Sequence, residues 1–546
     1  MSARVEEPGR GMDAGQNFWM EFLAAPSAEE DADAAPTVVD TTEASAKVDE
    51  ARAEDTATAN SEDQPAAKGP KTRRLGRRGF AGWGRGAAAY VEAPPEWRGT
   101  TVQVCGLWPF AAGSGTPVIG VPVGRTLTSG ATLCCDPISW FQRANLILNP
   151  SEFVLGKPGL GKSTLVRRQA LGLAGYGVNP VVFGDLKPDY VDLIRALGGQ
   201  VITLGRGRGY LNVLDPGEAT AAAERLPGPA RRALLADAHG RRLNAVASLI
   251  TVLRGHPPTD REETILNTAL RVLDERFVGV PVLGDLLGLL REAPEPVRAA
   301  ALDRGDLARY RDITEGLEAS LIGLLGDGRF GEMFSRATSE PMARDRPVCF
   351  DVSSIDDAET HLQAAALLAC WSYGFGAVSV AQALADAGLE PQRNYFVILD
   401  ELWRVLRAGR GLVDRVDALT RLNRQRGVGT AMITHTMSDL LALPAEEDRM
   451  KAKGFVERSG MVICGGLPAA EMPGLTEVVG MTAAEQQMIV DWATPPSWDS
   501  GLGRESPPPG LGKFMVKVGG RPGIPAAVEL TPRERHVNDT NRRWAP

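Results

Sequence analysis

The stretch that decides the fold is Glu152-Phe-Val-Leu-Gly156-Lys-Pro-Gly-Leu-Gly161-Lys162-Ser163-Thr164. Its apolar run predicts a short strand, the pattern Gly-x-x-x-x-Gly-Lys-Ser predicts a loop, and a helix is expected from Thr164 onward. Glycines let such a loop turn its backbone N–H groups toward an anion, and the positive end of the following helix points at the same place. The stretch therefore predicts a phosphate-binding loop for a nucleoside triphosphate.

The residues of this loop have different expected roles. Lys162 can reach the β- and γ-phosphates, and the hydroxyl of Ser163 can ligate Mg²⁺. The expected cofactors are accordingly ATP and Mg²⁺. The residues expected to bind the nucleotide are Gly156, Lys157, Pro158, Gly159, Leu160, Gly161, Lys162, Ser163 and Thr164.

The charge of the chain is concentrated near its beginning. The 546 residues carry a net charge of −8, yet residues 1–67 alone hold 16 acidic and 4 basic side chains. Residues 68–85 then hold 7 basic side chains and no acidic one, so the rest of the chain is almost neutral. Residues 1–67 contain few large apolar side chains, and we expect them to be disordered because they cannot bury enough surface to fold.

Two short segments interrupt this tail. The apolar run Asn17–Leu23 is either a docking motif that folds on a partner or a nascent helix without a role. The basic run Lys71–Arg78 is either a contact for nucleic acid or an anionic membrane surface, or a solvated linker. The sequence leaves both pairs of alternatives open.

The six cysteines indicate reduced thiols. No Cys-x-x-Cys pair occurs, no histidine stands at metal-ligand spacing, and no secretory signal opens the chain. The uncharged stretch Leu362–Ala385 is long enough to span a bilayer, but it contains Gln363, Ser372 and Gln382, and its apolar content is mostly alanine. It predicts a buried helix of an α/β core, no transmembrane segment, and a cytoplasmic protein; peripheral attachment at the inner face of the cell membrane stays open.

Strand patterns alternate with helix patterns on both sides of a helical segment, which predicts an α/β fold with a parallel sheet. The fold class expected is a RecA-like P-loop NTPase core with an all-α insertion, a small β-rich N-terminal module and a disordered N-terminal tail. The expected divisions are a tail with basic linker (1–87), the β-rich module (88–150), the first core part (151–215), the insertion (216–340), the second core part (341–495) and a C-terminal β extension (496–546).

A second catalytic element is predicted at Asp400-Glu401. These carboxylates follow the apolar run Tyr395–Leu399, at the carboxyl end of a predicted buried strand, where parallel sheets place their ligands. Asp400 is expected to hold Mg²⁺ through water, and Glu401 to polarise the attacking water. Paired with the phosphate loop on one sheet, they predict hydrolysis rather than binding alone.

Three arginines and a histidine complete the candidate site. Arg421, Arg424 and Arg426 precede a strand that ends at Thr434-His435. One of them, Arg424 first, is expected to reach a neighbouring subunit's γ-phosphate; a solvated basic helix end is the alternative. His435, at a strand tip, is either a γ-phosphate sensor or a structural histidine.

The order of these landmarks over about residues 100–546 resembles the VirB-four/TraC class of conjugation and type IV secretion ATPases, in the HerA/FtsK group of P-loop motors. Pro117–Gly124, Phe183–Tyr190 and Leu211–Asp215 are similar to segments of that family, as is Leu399-Asp-Glu-Leu-Trp403. Asp189 stands where the family usually has glutamate, and His435 where it usually has glutamine. The large N-terminal domain of many members is not part of the match.

The resemblance implies an ATP-hydrolysing motor, a hexamer, that serves a membrane channel for conjugation or type IV-like secretion. One alternative is a coupling protein or translocase that moves DNA, although the almost neutral body lacks the positive charge that gripping DNA requires. Another is a nucleotide-switched scaffold that does not hydrolyse ATP. The sequence leaves open the cargo, the channel partner, the number of subunits and DNA as a partner.

Overall fold

The computed structural model describes residues 117–326, 328–420, 427–499 and 504–537. Its central feature is a sheet of 11 strands, and a separate hairpin holds two more. The strands are β1 (Pro122–Thr126), β2 (Thr132–Cys134), β3 (Ser151–Leu155), β4 (Val178–Asp185), β5 (Gln200–Thr203), β6 (Val348–Asp351), β7 (Asn394–Leu399), β8 (Val428–Ile433), β9 (Met461–Cys464), β10 (Trp498–Asp499), β11 (Arg504–Glu505), β12 (Lys513–Lys517) and β13 (Ile524–Val528).

The sheet is largely parallel, which confirms the predicted α/β fold. Its strand order is β2-β1-β13-β12-β9-β3-β8-β7-β4-β6-β5. The strands from β9 to β5 in that order run parallel, and every residue of β3 and β8 is buried. Burial on both faces explains why these strands are near-continuous apolar runs without alternation. The carboxyl ends of β3, β8 and β7 consequently meet at one edge.

The strands at the other end of the order form an antiparallel flank, namely β2, β1, β13 and β12. Although we predicted the β-rich module and the C-terminal extension as separate pieces, β1 pairs with β13 and β12 pairs with β9. At Gly124 a side chain would lie 1.9 Å from the carbonyl oxygen of Ala527. Glycine is therefore required for β1 to approach β13, and both pieces extend the central sheet.

The helices cover the sheet and fill the interval between β5 and β6, where the described residues form no strand. They are α1 (Pro137–Gln142), α2 (Lys162–Gly175), α3 (Val191–Ala196), α4 (Ala219–Arg225), α5 (Gly228–Arg254), α6 (Asp260–Arg276), α7 (Leu283–Glu292), α8 (Glu295–Ala301), α9 (Leu307–Gly323), α10 (Thr360–Asp386), α11 (Leu402–Arg407), α12 (Leu412–Thr420), α13 (Met437–Leu441), α14 (Glu446–Arg458), α15 (Met472–Thr476), α16 (Ala483–Trp492) and α17 (Pro532–Val537).

The helical interval shares its core with the sheet. A single cluster of buried side chains includes Phe153 on β3, Leu249 on α5, Leu270 on α6 and Leu290 on α7. The side chain of Thr259 accepts from the backbone of Glu262 at the start of α6, in a capping box that satisfies the first free N–H groups of the helix. The interval is thus packed onto the core rather than hanging from it.

Helix α10 contains the stretch that we predicted as a buried helix. By length and composition it is the one candidate membrane span among the described residues, with a mean hydropathy of 1.5 in its most apolar window. However, 83% of that window is buried inside the protein, where α10 packs on α5 and β4. Trp371 on this helix donates to the carbonyl oxygen of Phe183 at 2.6 Å. The packing agrees with the prediction of a core helix.

Several predictions concern residues outside the described ranges. They are the disordered tail, the apolar run Asn17–Leu23 and the basic run Lys71–Arg78. Of the cysteines, the five in the described part of the chain are free.

Candidate active site

The phosphate loop lies between β3 and α2, in the order that the sequence predicts. Lys162 opens α2, and Gly161 before it has φ +96°, in the left-handed region that favours glycine. At Gly156 a side chain would lie 3.2 Å from the Cα of Gly465. The N–H of Gly156 donates to the carbonyl oxygen of His435 at 2.9 Å, so β8 helps to fix the start of the loop.

The side chain of Lys162 is folded back onto the loop. Its Nζ donates to the carbonyl oxygens of Gly156 at 2.6 Å and Lys157 at 3.3 Å. It also lies 3.0 Å from Nδ1 of His435. Burial lowers the pKa of Lys162 to about 8, against the opposing effect of the nearby Asp400 and Glu401 carboxylates. The ammonium is thus hydrogen-bonded to backbone oxygens of the loop itself.

The other predicted loop residues line the same turn. The N–H of Lys157 donates to the carbonyl oxygen of Gly466 at 3.0 Å, and its Nζ to that of Ala493 at 3.3 Å. The carbonyl oxygen of Leu160 accepts from the N–H of Gly512 at 3.0 Å. Pro158 and Gly159 form the exposed tip of the loop, and Ser163 and Thr164 lie in the first turn of α2.

Asp400 lies at the carboxyl end of β7, as predicted, and is partly buried among acidic groups. Its Oδ1 accepts from the N–H of Glu401 at 2.8 Å, and its Oδ2 from the hydroxyl of Tyr190 at 3.3 Å. Burial, followed by the neighbouring Glu401 charge, raises the pKa of Asp400 to about 7. A carboxylate that is costly to ionise alone would be stabilised by a bound cation.

Glu401 adopts a left-handed conformation, with φ +53°, just before α11. Its Oε1 accepts from Nζ of Lys187 at 2.9 Å, and its Oε2 from Nε1 of Trp403 at 2.5 Å. Oε2 also lies 3.4 Å from Nε2 of His435. Burial alone would raise the pKa of Glu401. The hydrogen bonds from His435 and Lys187 nevertheless hold this pKa well below its usual range. Three donors thus hold the Glu401 carboxylate, and together they stabilise the left-handed backbone conformation of this residue.

His435 bridges the phosphate loop and Glu401. Its Nδ1 faces the Lys162 ammonium, which can only donate, and its Nε2 faces the Glu401 carboxylate, which can only accept. The Nε2–H tautomer satisfies both contacts at once. His435 therefore lies between the Lys162 ammonium and the Glu401 carboxylate.

The oxygen groups around the loop fit a magnesium ion. Burial raises the pKa of Asp189, an effect that the nearby hydroxyl of Ser163 partly offsets, and Asp400 belongs to the same acidic group. These are hard oxygen donors, and Mg²⁺ usually takes only one or two protein ligands and completes its shell with water and phosphate oxygens. Within the described ranges, no three His, Cys, Asp or Glu side chains are grouped so that they could hold a metal ion.

The structure brings most residues of the predicted site together, but the three predicted arginines lie outside the described ranges. Lys162, Ser163, Asp400, Glu401 and His435 converge at the edge formed by β3, β8 and β7. Arg421, Arg424 and Arg426 fall in residues 421–426, outside the described ranges.

Three side chains of the site were not singled out from the sequence: Lys187, Tyr190 and Trp403. Lys187 and Tyr190 lie in Phe183–Tyr190, a stretch in which the sequence had drawn attention to Asp189 alone. The carboxylate of Asp185 accepts from the N–H groups of Asp189 at 3.0 Å and Tyr190 at 2.7 Å, which folds this loop toward β7. A lysine between two aspartates after a strand was the available signal.

Two solved structures resemble this chain in fold. VirB4 of Thermoanaerobacter pseudethanolicus matches with a TM-score of 0.52 at 18% identity, over 77% of this chain and 100% of that chain. The plasmid coupling protein TrwB in complex with the ATP analogue ADPNP matches with a TM-score of 0.45 at 14% identity, over 75% of this chain and 89% of that one. No protein-family model matches the chain, and no curated protein does. The VirB4 match confirms the predicted likeness at the level of the fold.

Proposed function

We propose that this protein hydrolyses ATP with Mg²⁺ and acts as a motor of a conjugation or type IV-like secretion apparatus. The observation that carries the proposal is the convergence of Lys162, Asp400 and Glu401 at one edge of a parallel sheet. These are the three groups that phosphoryl transfer to water requires: a cation for the phosphates, a metal-holding carboxylate and a carboxylate that orients water.

The proposed reaction is an in-line displacement. A water oxygen forms a bond to the γ-phosphorus while the bond from that phosphorus to the β–γ bridging oxygen breaks, so ADP leaves with that oxygen. One proton of the water passes by way of Glu401 and is released with inorganic phosphate. Lys162 swings from the loop carbonyl oxygens to the β- and γ-phosphate oxygens. When bound by Ser163 and Asp400, Mg²⁺ supplies further positive charge to the phosphates.

Two substitutions separate binding from turnover. Lys162→Ala should lose nucleotide affinity, because the loop no longer holds an ammonium. Glu401→Gln should bind ATP but hydrolyse it about 10² to 10³ times more slowly, since the amide accepts a proton poorly. Lys453→Ala, which breaks an exposed ion pair with Glu477, is the matched control. Hydrolysis by Glu401→Gln at the parental rate would contradict the assigned role.

One observation favours the nucleotide-switched scaffold as a second candidate. Glu401 is held by Lys187, Trp403 and His435, and in that arrangement it is poorly placed to take a proton from water. Turnover of purified protein with ATP and Mg²⁺, across a range of protein concentrations, distinguishes the two. Bound ATP that stays intact at concentrations that permit oligomers would favour the scaffold.

We further propose a hexamer in which Arg424 completes the site of a neighbouring subunit. The support is the order of sequence landmarks together with the fold shared with VirB4. Arg424→Ala and Lys162→Ala should each be inactive alone, whereas their mixture should recover part of the activity at interfaces that join an intact loop to an intact arginine. No recovery in mixed oligomers of confirmed composition would contradict an arginine acting across the interface.

The same preparation tests the partners. Binding to membranes that contain the channel proteins is expected if the protein drives a secretion apparatus. Stimulation of hydrolysis by DNA, with a steep dependence on salt concentration, would instead favour a translocase that grips DNA itself.

A further inference from the structure

Lys187 is the most exposed of the three side chains that hold Glu401. It lies after β4, and its Nζ is 2.9 Å from Oε1 of Glu401. The Glu401 side chain is only 7% exposed, whereas that of Lys187 is 51% exposed. A half-exposed lysine on a four-carbon stem is thus paired with a buried carboxylate, and the lysine is the partner that can move.

The other two donors to Glu401 are held in place. Trp403 has the guanidinium groups of Arg404 and Arg407 within 5.0 Å of its ring centroid. His435 is held by Lys162 on its other ring nitrogen and is only 19% exposed. Of the three donors, Lys187 is therefore the one whose departure would leave Oε1 of Glu401 open to a hydrogen bond from water.

A bound triphosphate would offer a released Lys187 a new anionic partner. Lys162 and Glu401 lie on either side of a single imidazole, so the γ-phosphate of a nucleotide held by Lys162 comes within reach of the Lys187 ammonium. The charged groups around Lys187 are Glu401, Asp400, Asp189, Lys162 and Arg404, and Arg404 already pairs with Asp357. A diphosphate ends one phosphate short of this position and offers no such partner.

We infer that Lys187 is a γ-phosphate ligand supplied by the same subunit, and that it exchanges Glu401 for the γ-phosphate when a triphosphate binds. The exchange rests on the proposed function. It adds a cation to the phosphate that is transferred and at the same step frees Oε1 of Glu401 to orient water. Glu401 is then released by ATP and stays paired with ADP.

The test compares the affinity for two nucleotides in the full-length protein. Dissociation constants for ADP and for a non-hydrolysable ATP analogue, each with Mg²⁺, are measured for the parental protein, Lys187→Met and Lys187→Arg. Methionine should weaken the ATP analogue about tenfold, the loss of one charge-assisted contact, and change ADP less than twofold. It should also lower kcat at least about tenfold, and arginine should restore much of the preference for the triphosphate.

Lys453→Met removes an equivalent charge from an exposed ion pair with Glu477, a residue that is not part of the site, and it should leave both affinities unchanged. An unchanged ratio of the two dissociation constants in Lys187→Met, in protein with the parental melting temperature, would overturn the inference. Such a result leaves the proposed function standing if the parental protein still binds and hydrolyses ATP. If the parental protein binds neither nucleotide, the proposed function itself fails.

Discussion

Glu152 is a buried acid in β3, directly before the phosphate loop, and its replacement by glutamine should change how stability depends on pH. The residue is fully buried; its Oε2 accepts from Nε2 of Gln169 at 2.9 Å, and its Oε1 has no hydrogen-bond partner among the described residues. Burial raises the pKa of Glu152 from 4.5 to about 8. The folded state therefore keeps a proton that the unfolded chain gives up.

The magnitude follows from linkage. Because the folded pKa is the higher one, the stabilisation is fully present below about pH 4.5 and is lost as the pH rises toward and through 8. Between pH 5 and pH 8 the loss integrates to roughly 3.5 kcal/mol. With an unfolding entropy of about 2.1 cal/mol/K per residue over roughly 400 folded residues, this corresponds to about 4 °C in melting temperature.

The assay is thermal unfolding of the parental protein and of Glu152→Gln in matched buffers at pH 5, 6.5 and 8. Glutamine does not titrate, so the variant should lose about 4 °C less than the parental protein between the two extremes. The exposed Glu457→Gln is the control and should follow the parental curve. Parallel curves for Glu152→Gln and the parental protein would refute the claim that Glu152 is protonated in the fold.

Three further substitutions test the site and the sheet. Trp403→Phe removes the Nε1 donor to Glu401 and should lower kcat about tenfold in a phosphate-release assay while ATP affinity is retained. Gly161→Ala places a side chain at φ +96° and should weaken ATP binding about tenfold or more by calorimetry, since such a conformation costs about 1 to 2 kcal/mol. Gly124→Ala drives a methyl group into the Ala527 carbonyl and should lower the melting temperature by several degrees, whereas Gly240→Ala, in open space on α5, should leave it equal or slightly higher.

Individual strands of this fold could be predicted because each is encoded by a pattern of neighbouring residues. The apolar runs of β3, β7 and β8 are buried on both faces, and such strands need no partner information to be recognised. Gly156–Ser163 and Asp400-Glu401 follow two of those strands, so a parallel arrangement was enough to bring them together. The predictions succeeded where spacing along the chain determines position.

The parts that were not predicted depend on distant contacts. Nothing in Pro122–Thr126 indicates that it pairs with Ile524–Val528, because the pattern of a strand does not specify which other strand it pairs with. The contact between Lys187 and Glu401 depends on the loop that Asp185 folds toward β7. The burial of Glu152 could not be recognised from a single acid in a strand. These are properties of the assembled sheet rather than of any segment.

The pairing of β1 with β13 also constrains when the protein can finish folding. Gly124 faces Val528, and these residues are separated by nearly the whole folded chain, so the flank cannot close until the ribosome has made almost all of it. The same late segment supplies the Gly512 N–H that binds the Leu160 carbonyl of the phosphate loop. A growing chain thus carries the phosphate loop, Asp400 and Glu401 well before Gly512 can make its contact with that loop.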